Sequence, residues 1–208
     1  MTIQRGLCKK VKWCMAKRLP IVTVPNPILR QKSGEVENTP QVKKLVKRMI
    51  ASLIDDKGEL VGVGLSAPQV GFNWRVFVTI NQAKKVKPFR VFVNPVIVEY
   101  ANKLTDGVPE SKFKMEGCLS IPGIYGLVRR PKWVVVRYWD WDEKGRLIEK
   151  QERFEGLVAT VIQHEYDHLE GILFVDRVKE QGNKLYKVVV DEMGKEQLVE
   201  IEGDKLKV

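Results

Sequence analysis

At 208 residues, with 44% hydrophobic and 30% charged residues, the chain suits one globular domain with a proper core, which excludes a disordered or fibrous polypeptide. No apolar run approaches the ~20 residues of a membrane-spanning helix, and three unevenly spaced cysteines, Cys8, Cys14 and Cys118, exclude the disulfide framework of a small secreted protein. A reducing cytoplasm is the expected compartment. The formal net charge is +10, but residues 1–18 hold six bases and no acid, so the rest carries only +10 − 6 = +4. That mild excess is expected to be solvated surface rather than a nucleic-acid footprint, and no DNA partner is expected.

Residues 1–18 lack the continuous apolar stretch of a secretory signal. They are read as a dispensable basic extension, with Met15 as an alternative start. A short organelle transit peptide, placing the protein in an organelle matrix, is the other option. Residues 20–38 carry Pro20, Pro25 and Pro27 among Ile21, Val22, Val24, Ile28 and Leu29, which predicts an extended segment lying over the body. Thr39-Pro40 reads as an N-cap with proline at the first helical position. Val42, Leu45, Val46, Met49, Ile50, Leu53 and Ile54 keep helical spacing until Gly58.

Gly62-Val63-Gly64-Leu65-Ser66-Ala67-Pro68-Gln69-Val70-Gly71 follows. Its glycines suit a backbone that approaches a ligand, and equally a tight strand-to-loop turn. Strands are expected at Arg75–Ile80 and Arg90–Val98, the second with a bulge or edge at Asn94-Pro95. Beyond the polar residues 101–115 lies Glu116-Gly117-Cys118-Leu119-Ser120-Ile121-Pro122-Gly123, with Cys118 in a short loop. A lone cysteine is commonly a small buried thiol; here it is also a candidate metal ligand. Trp133–Trp139 and Arg146–Phe154 form an expected hairpin around Asp142-Glu143-Lys144-Gly145, with Arg137 and Tyr138 breaking its apolar face.

The hairpin leads into Phe154–Leu169, which has no proline and almost no wholly polar face, the signature of a buried helix that Gly171 would stop. This helix holds the only two histidines, in Gln163-His164-Glu165-Tyr166-Asp167-His168-Leu169-Glu170-Gly171. Residues four apart share one helix face, so His164 and His168 can chelate one ion. Glu165 falls where a base for an activated water is needed. An open catalytic site requires a third ligand, and the Cys118 thiolate suits it. Leu173–Val178 is read as short and extended, and Lys184–Val190 and Gln197–Ile201 as weaker strands of a β-rich C-terminal extension, 181–208.

GVGLSAPQVG, EGCLSIPG and QHEYDHLEG, in that order, closely resemble the three signature motifs of the peptide deformylases. Leu19-Pro20-Ile21-Val22 through Arg30, and Pro122-Gly123-Ile124-Tyr125-Gly126 with Arg130-Pro131, extend the resemblance over roughly residues 19–178. One position departs from the family pattern: Ser66 stands where alanine is usual, a small-for-small change that touches at most fine substrate fit. The resemblance implies an α+β fold in which antiparallel β-sheets surround a central buried helix carrying the metal motif. The catalytic domain would then be 19–180. The implied reaction removes the formyl group from the N-terminal formylmethionine of newly made polypeptides. A water activated by the metal attacks, with Glu165 as general base.

By the same resemblance, Gln69 and the Leu119 backbone N–H stabilise the oxyanion. Val63, Leu157, Thr160 and Val161 form the methionine pocket, with Tyr125 near its mouth, and Gly64 pairs with the peptide backbone. Glu116 and Arg130 would be a supporting ion pair or an unlinked surface pair. A Cys-His-His set suits zinc by ligand type, while the resemblance implies Fe(II), with Ni, Co or Zn able to replace it. The partners expected are formylated nascent peptides, with transient ribosome contact compatible and a monomeric state. Two rivals are a zinc-dependent peptidase, which usually takes its third ligand from downstream, and a non-catalytic metal-containing ribosome-binding domain, which would have no use for a base at Glu165.

Overall fold

The computed structural model describes residues 16–81, 88–109, 114–190, 194 and 196–202. The reading of residues 1–15, including Cys8, Cys14 and Met15, lies outside the described residues. Helix α1 (Pro40–Ser52) begins as expected, with the Thr39 hydroxyl accepting from the Val42 N–H and Pro40 in the first turn. Its stripe of Val42, Leu45, Val46, Met49 and Ile50 is buried, and it stops at Ser52, ahead of Gly58.

The strands in chain order are β1 (Gly64–Ser66), β2 (Val76–Ile80), β3 (Phe89–Tyr100), β4 (Glu116–Cys118), β5 (Ile121–Gly126), β6 (Trp133–Trp141), β7 (Leu147–Glu155), β8 (Leu185–Val190) and β9 (Glu196–Ile201). They form two antiparallel sheets, ordered β1-β2-β3-β6-β7 and β4-β5-β8-β9. The bulge at Asn94-Pro95 is present as a register shift between Val93 and Val96, where Asn94 takes φ 47°. Its amide exchanges two hydrogen bonds with the Val36 backbone, which ties the extended N-terminal segment to β3. That segment runs as the prolines predict, apart from a 3-10 turn at Pro27–Arg30. It straps down three neighbourhoods of the later motifs, through Val22 N–H to Gln69 O, Val24 N–H to Ser120 O and Ser33 N–H to Leu169 O.

Each face of the larger sheet meets a helix. On one side α1 packs over Leu65, Val76, Val78, Phe89, Val91 and Val93. On the other, Phe77, Phe92, Val134, Val136, Tyr138 and Phe154 receive Ala159, Ile162 and Leu169 of helix α2 (Gly156–Leu169). Strand alternation puts Tyr138 inside, where its hydroxyl donates to Glu152, so of the two residues expected to break the apolar face only Arg137 is exposed. A separate cluster joins the smaller sheet to helix α3 (Phe174–Glu180) through Ile121, Ile124, Phe174, Val175, Val178 and Leu185.

Helix α3 corrects the expectation of an extended Leu173–Val178. The Leu173 N–H donates to Asp176 Oδ2, closing the first turn, and Phe174, Val175 and Val178 share a buried face. Burial against the second sheet outweighs the β-preference of two valines in so short a segment. Among the described residues no helix is long and apolar enough to cross a membrane.

Candidate metal centre and active site

Helix α2 starts where β7 ends, and Gly171 at φ 73° turns the chain away after it. His164 and His168 lie one turn apart with ring centroids 5.1 Å from each other. Strand β4 delivers the third group: a register shift between Gly117 and Cys118 re-aims the cysteine, and its Sγ comes within 3.2 Å of His168 Nε2. The ligand atoms of Cys118, His164 and His168 all lie within 4.8 Å of one another.

His164 Nδ1 sits 2.9 Å from Glu116 Oε2, which leaves Nε2 as its ligand atom. Glu116 is in turn bound two-fold by Arg130, which also donates to Asp167 Oδ2 at 2.8 Å, and Arg177 closes on Asp167 from α3 at 2.7 Å. Glu116 and Arg130 are therefore a buried pair rather than an unlinked surface one, with side-chain exposures of 4% and 5%. Burial opposes the charge on Glu116, but Arg130 and His164 outweigh it and hold the carboxyl at about 2. Burial likewise pushes the Cys118 thiol up, and the adjacent histidines pull it well below the usual thiol range. A depressed thiol, two imidazoles and a carboxylate partner for one of them fit a divalent cation of borderline softness.

Glu165 is buried beside this trio, and its Oε2 has no protein partner among the described residues. Burial pushes its carboxyl up to about 7, against the pull of His164 and His168. A side chain at position 64 would collide with this carboxylate, so Gly64 is required for close approach rather than for turn geometry. Gln69, 2% exposed in a 3-10 turn after β1, has a fixed amide orientation. Its Oε1 accepts from the Ser66 N–H at 2.8 Å and from the Ser66 hydroxyl at 3.0 Å. Its Nε2 then faces Cys118 Sγ and Ser120 Oγ, each at 3.3 Å.

These groups border a cavity of about 480 Å³ that also has Val63, Gly64, Leu119, Tyr125, Leu157, Thr160 and Val161 in its wall. Every residue singled out as a pocket, backbone-pairing or oxyanion candidate is thus at one place, His168 adjoining it through Cys118. Val61, Val108 and Met115 line the same cavity and carry no motif that would have marked them. Asp167, Arg177, Ser120 and the hydroxyl of Ser66 also escaped sequence reasoning. Asp167 lies inside the helix motif, between the histidines, and that position was the available signal.

A trio that could hold a metal ion, a buried carboxylate beside it and an apolar cavity are the parts of a metal-dependent hydrolase. The polypeptide deformylase family model matches residues 18–184. The peptide deformylase of Borreliella burgdorferi is 40% identical over 178 residues, covering 85% of this chain and 98% of that protein. That of Brucella suis is 41% identical over 162 residues, covering 76% and 83%. Among solved structures, the Thermotoga maritima peptide deformylase aligns with TM-score 0.63 and 34% identity, covering 77% of this chain and 97% of the other. The Met-Ala-Ser-bound class I type b enzyme of Acinetobacter baumannii aligns with TM-score 0.63 and 32% identity over 78% and 99%. The chain belongs to the polypeptide deformylase family.

Proposed function

We propose that this chain removes the formyl group from the N-terminal formylmethionine of new polypeptides, giving formate and a free amine. The observation that carries this is the Cys118-His164-His168 trio set against Glu165 and Gln69 in one apolar cavity. It is supported by a relative of the same fold that holds Met-Ala-Ser. Cys118, His164 and His168 hold a divalent cation, Fe(II) on family grounds, with Zn, Ni or Co as substitutes. When bound, the cation supplies Lewis acidity, which makes water nucleophilic near neutral pH and polarises the formyl oxygen. Glu165 takes the proton of the attacking water and delivers it to the departing amine nitrogen. The Gln69 amide and the Leu119 N–H donate to the oxygen that gains charge. Val63, Leu157, Thr160 and Val161 enclose the methionine side chain, Tyr125 stands at the mouth, and the Gly64 backbone pairs with the extended peptide.

On this reading the catalytic unit is 19–180, 181–208 is a β-rich extension, and 1–18 is dispensable. The protein acts as a monomer in the cytoplasm, with transient ribosome contact where its substrate emerges. The test is formate release from formyl-Met-Ala-Ser by protein purified without oxygen and assayed with ferrous iron, then nickel. Metal-dependent release, absent for the acetylated peptide, supports the reading; no release from folded, metal-loaded protein sinks it. Cys118→Ala is expected to lose both bound metal and turnover, checked by metal analysis alongside the assay.

Two further substitutions probe the wall of the site. Gly64→Ala forces Glu165 aside, so kcat is expected to fall about 10²-fold with the fold intact by circular dichroism. Ser66→Ala removes one of two donors to Gln69 Oε1 and leaves the backbone one. A loss of roughly 2- to 10-fold in kcat at unchanged KM is expected, the worth of one neutral hydrogen bond, so the Ser66–Gln69 contact moves the expected effect from fine substrate fit to the orientation of Gln69.

A further inference from the structure

Strand β5 connects the site to the end of the chain. On one side it pairs with β4, which carries Cys118, and on the other with β8. The family match stops at residue 184, one residue short of β8. The β8–β9 pair therefore lies beyond the part of the chain that the family model covers, yet shares a sheet with a metal ligand.

Register decides which side chains of this pair face the cavity mouth. Tyr125 and Tyr186 are directly opposite each other, and opposed residues of an antiparallel pair share a face. The Tyr125 ring lies over Gly117 and borders the cavity. Alternation and the pairs Tyr186↔Glu200 and Val188↔Leu198 put Tyr186, Val188, Leu198 and Glu200 on that same face. The opposite face meets the core at its near end, through Ile124 and Leu185 with Ile201 packed against it, while Val189 and Val199 farther along it are exposed. Val188 lies toward the Gly123 end of β5, and Gly123 also borders the cavity. An apolar stripe thus runs from the mouth across two further strands.

Resting on the proposed deformylase reading, we infer that this stripe binds the part of the substrate downstream of the residues held in the cavity. It favours apolar or aromatic side chains there. A nascent polypeptide outruns the cavity and must leave over its rim. Two strand spacings, ~10 Å, match the reach of ~3 extended residues. Residues at about positions 4–6 of the substrate then cross Tyr186, Val188 and Leu198. The occupant is the substrate itself because the stripe is continuous with the wall of the site through Tyr125. Glu200 on the same face is bound by Lys184, which limits any charge preference.

The test compares kcat/KM of the metal-loaded full chain for formyl-Met-Ala-Ser and for two eight-residue formylated peptides sharing those first residues. One peptide carries Leu and Phe at positions 4–6, the other only Ser. The parent is expected to favour the apolar long peptide by about 10-fold through KM. Tyr186→Ser and, on the edge strand, Leu198→Lys should abolish that advantage and leave tripeptide turnover unchanged. Leu198→Lys carries the test if Tyr186→Ser fails to fold. Equal rates for all three peptides in an active parent, or an advantage retained in a folded variant, overturn the inference alone. An inactive parent on the tripeptide overturns the deformylase reading and the inference with it. A parent that sediments as a dimer and a Leu198→Lys variant that sediments as a monomer would assign the stripe to self-association and also overturn it.

Discussion

Replacing Glu165 by glutamine is expected to lower turnover by at least about 10³-fold while the protein still binds one metal ion. Glutamine keeps the shape of the side chain but cannot take a proton. The residue is 3% exposed and is not one of the three proposed ligands, so the isosteric change keeps its packing and leaves chelation to the other three. The kinetic readout is formate release; the independent one is metal content after gel filtration. Near-normal release with metal in place would remove Glu165 from the mechanism.

Stability gives a second signature of the same residue. In metal-free protein the folded-state value of about 7 exceeds the unfolded value near 4.5. The folded state therefore binds the proton more tightly, and stability is lost as pH rises from 4.5 through 7. Glu165→Gln removes this penalty. Metal-free variant and parent should melt alike near pH 4.5 and diverge toward pH 8, with the variant higher. Identical melting curves at every pH would show that burial does not perturb the carboxyl.

Arg130→Ala is expected to have the largest effect on the fold. Arg130 is 4% exposed and is shared by Glu116 and Asp167. Removing it leaves two buried carboxylates without their common counterion, a loss of about 3–5 kcal/mol. For a chain of this size that is roughly a 10 °C fall in melting temperature. Glu116 would also orient His164 less firmly, so metal affinity should drop about 10- to 100-fold. The folded pKa of Glu116 is depressed to about 2, so its stabilising share is present above pH 4.5 and is lost as pH falls toward 2. The acid limb of the parent's stability curve should accordingly flatten in Glu116→Gln. An Arg130→Ala protein melting within about 2 °C of the parent would refute the bracing role.

The contrast between α2 and α3 shows what the sequence makes legible. Helix α2 announces itself by apolar residues on nearly every face and by two histidines at helical spacing, both local signals. Helix α3 has only seven residues, and its geometry is settled by a distant sheet and by Asp176 bonding back to Leu173. The same division runs through the site. Residue types and spacing mark Cys118, His164, Glu165 and His168 because the proposed chemistry needs them. Ser66 and Gln69 stand only three apart, a local pattern open to reading, whereas Asp167 becomes meaningful only when Arg130, 37 positions away, is seen to meet it. Hydrogen-bond partners across such separations have no periodicity that a single sequence can display.

The three proposed ligands come from two layers, two from α2 and one from β4 of the other sheet. An ion held there ties position 118 to position 164 and closes a loop through both sheets, as a cross-link would. Binding that exists only in the folded chain adds to its stability by mass action, ~2.7 kcal/mol when free metal is a hundredfold above Kd. If the proposed site binds its ion, the persistence of this protein in a cell follows the supply of that ion: a shortage thins out the folded population as well as silencing the chemistry.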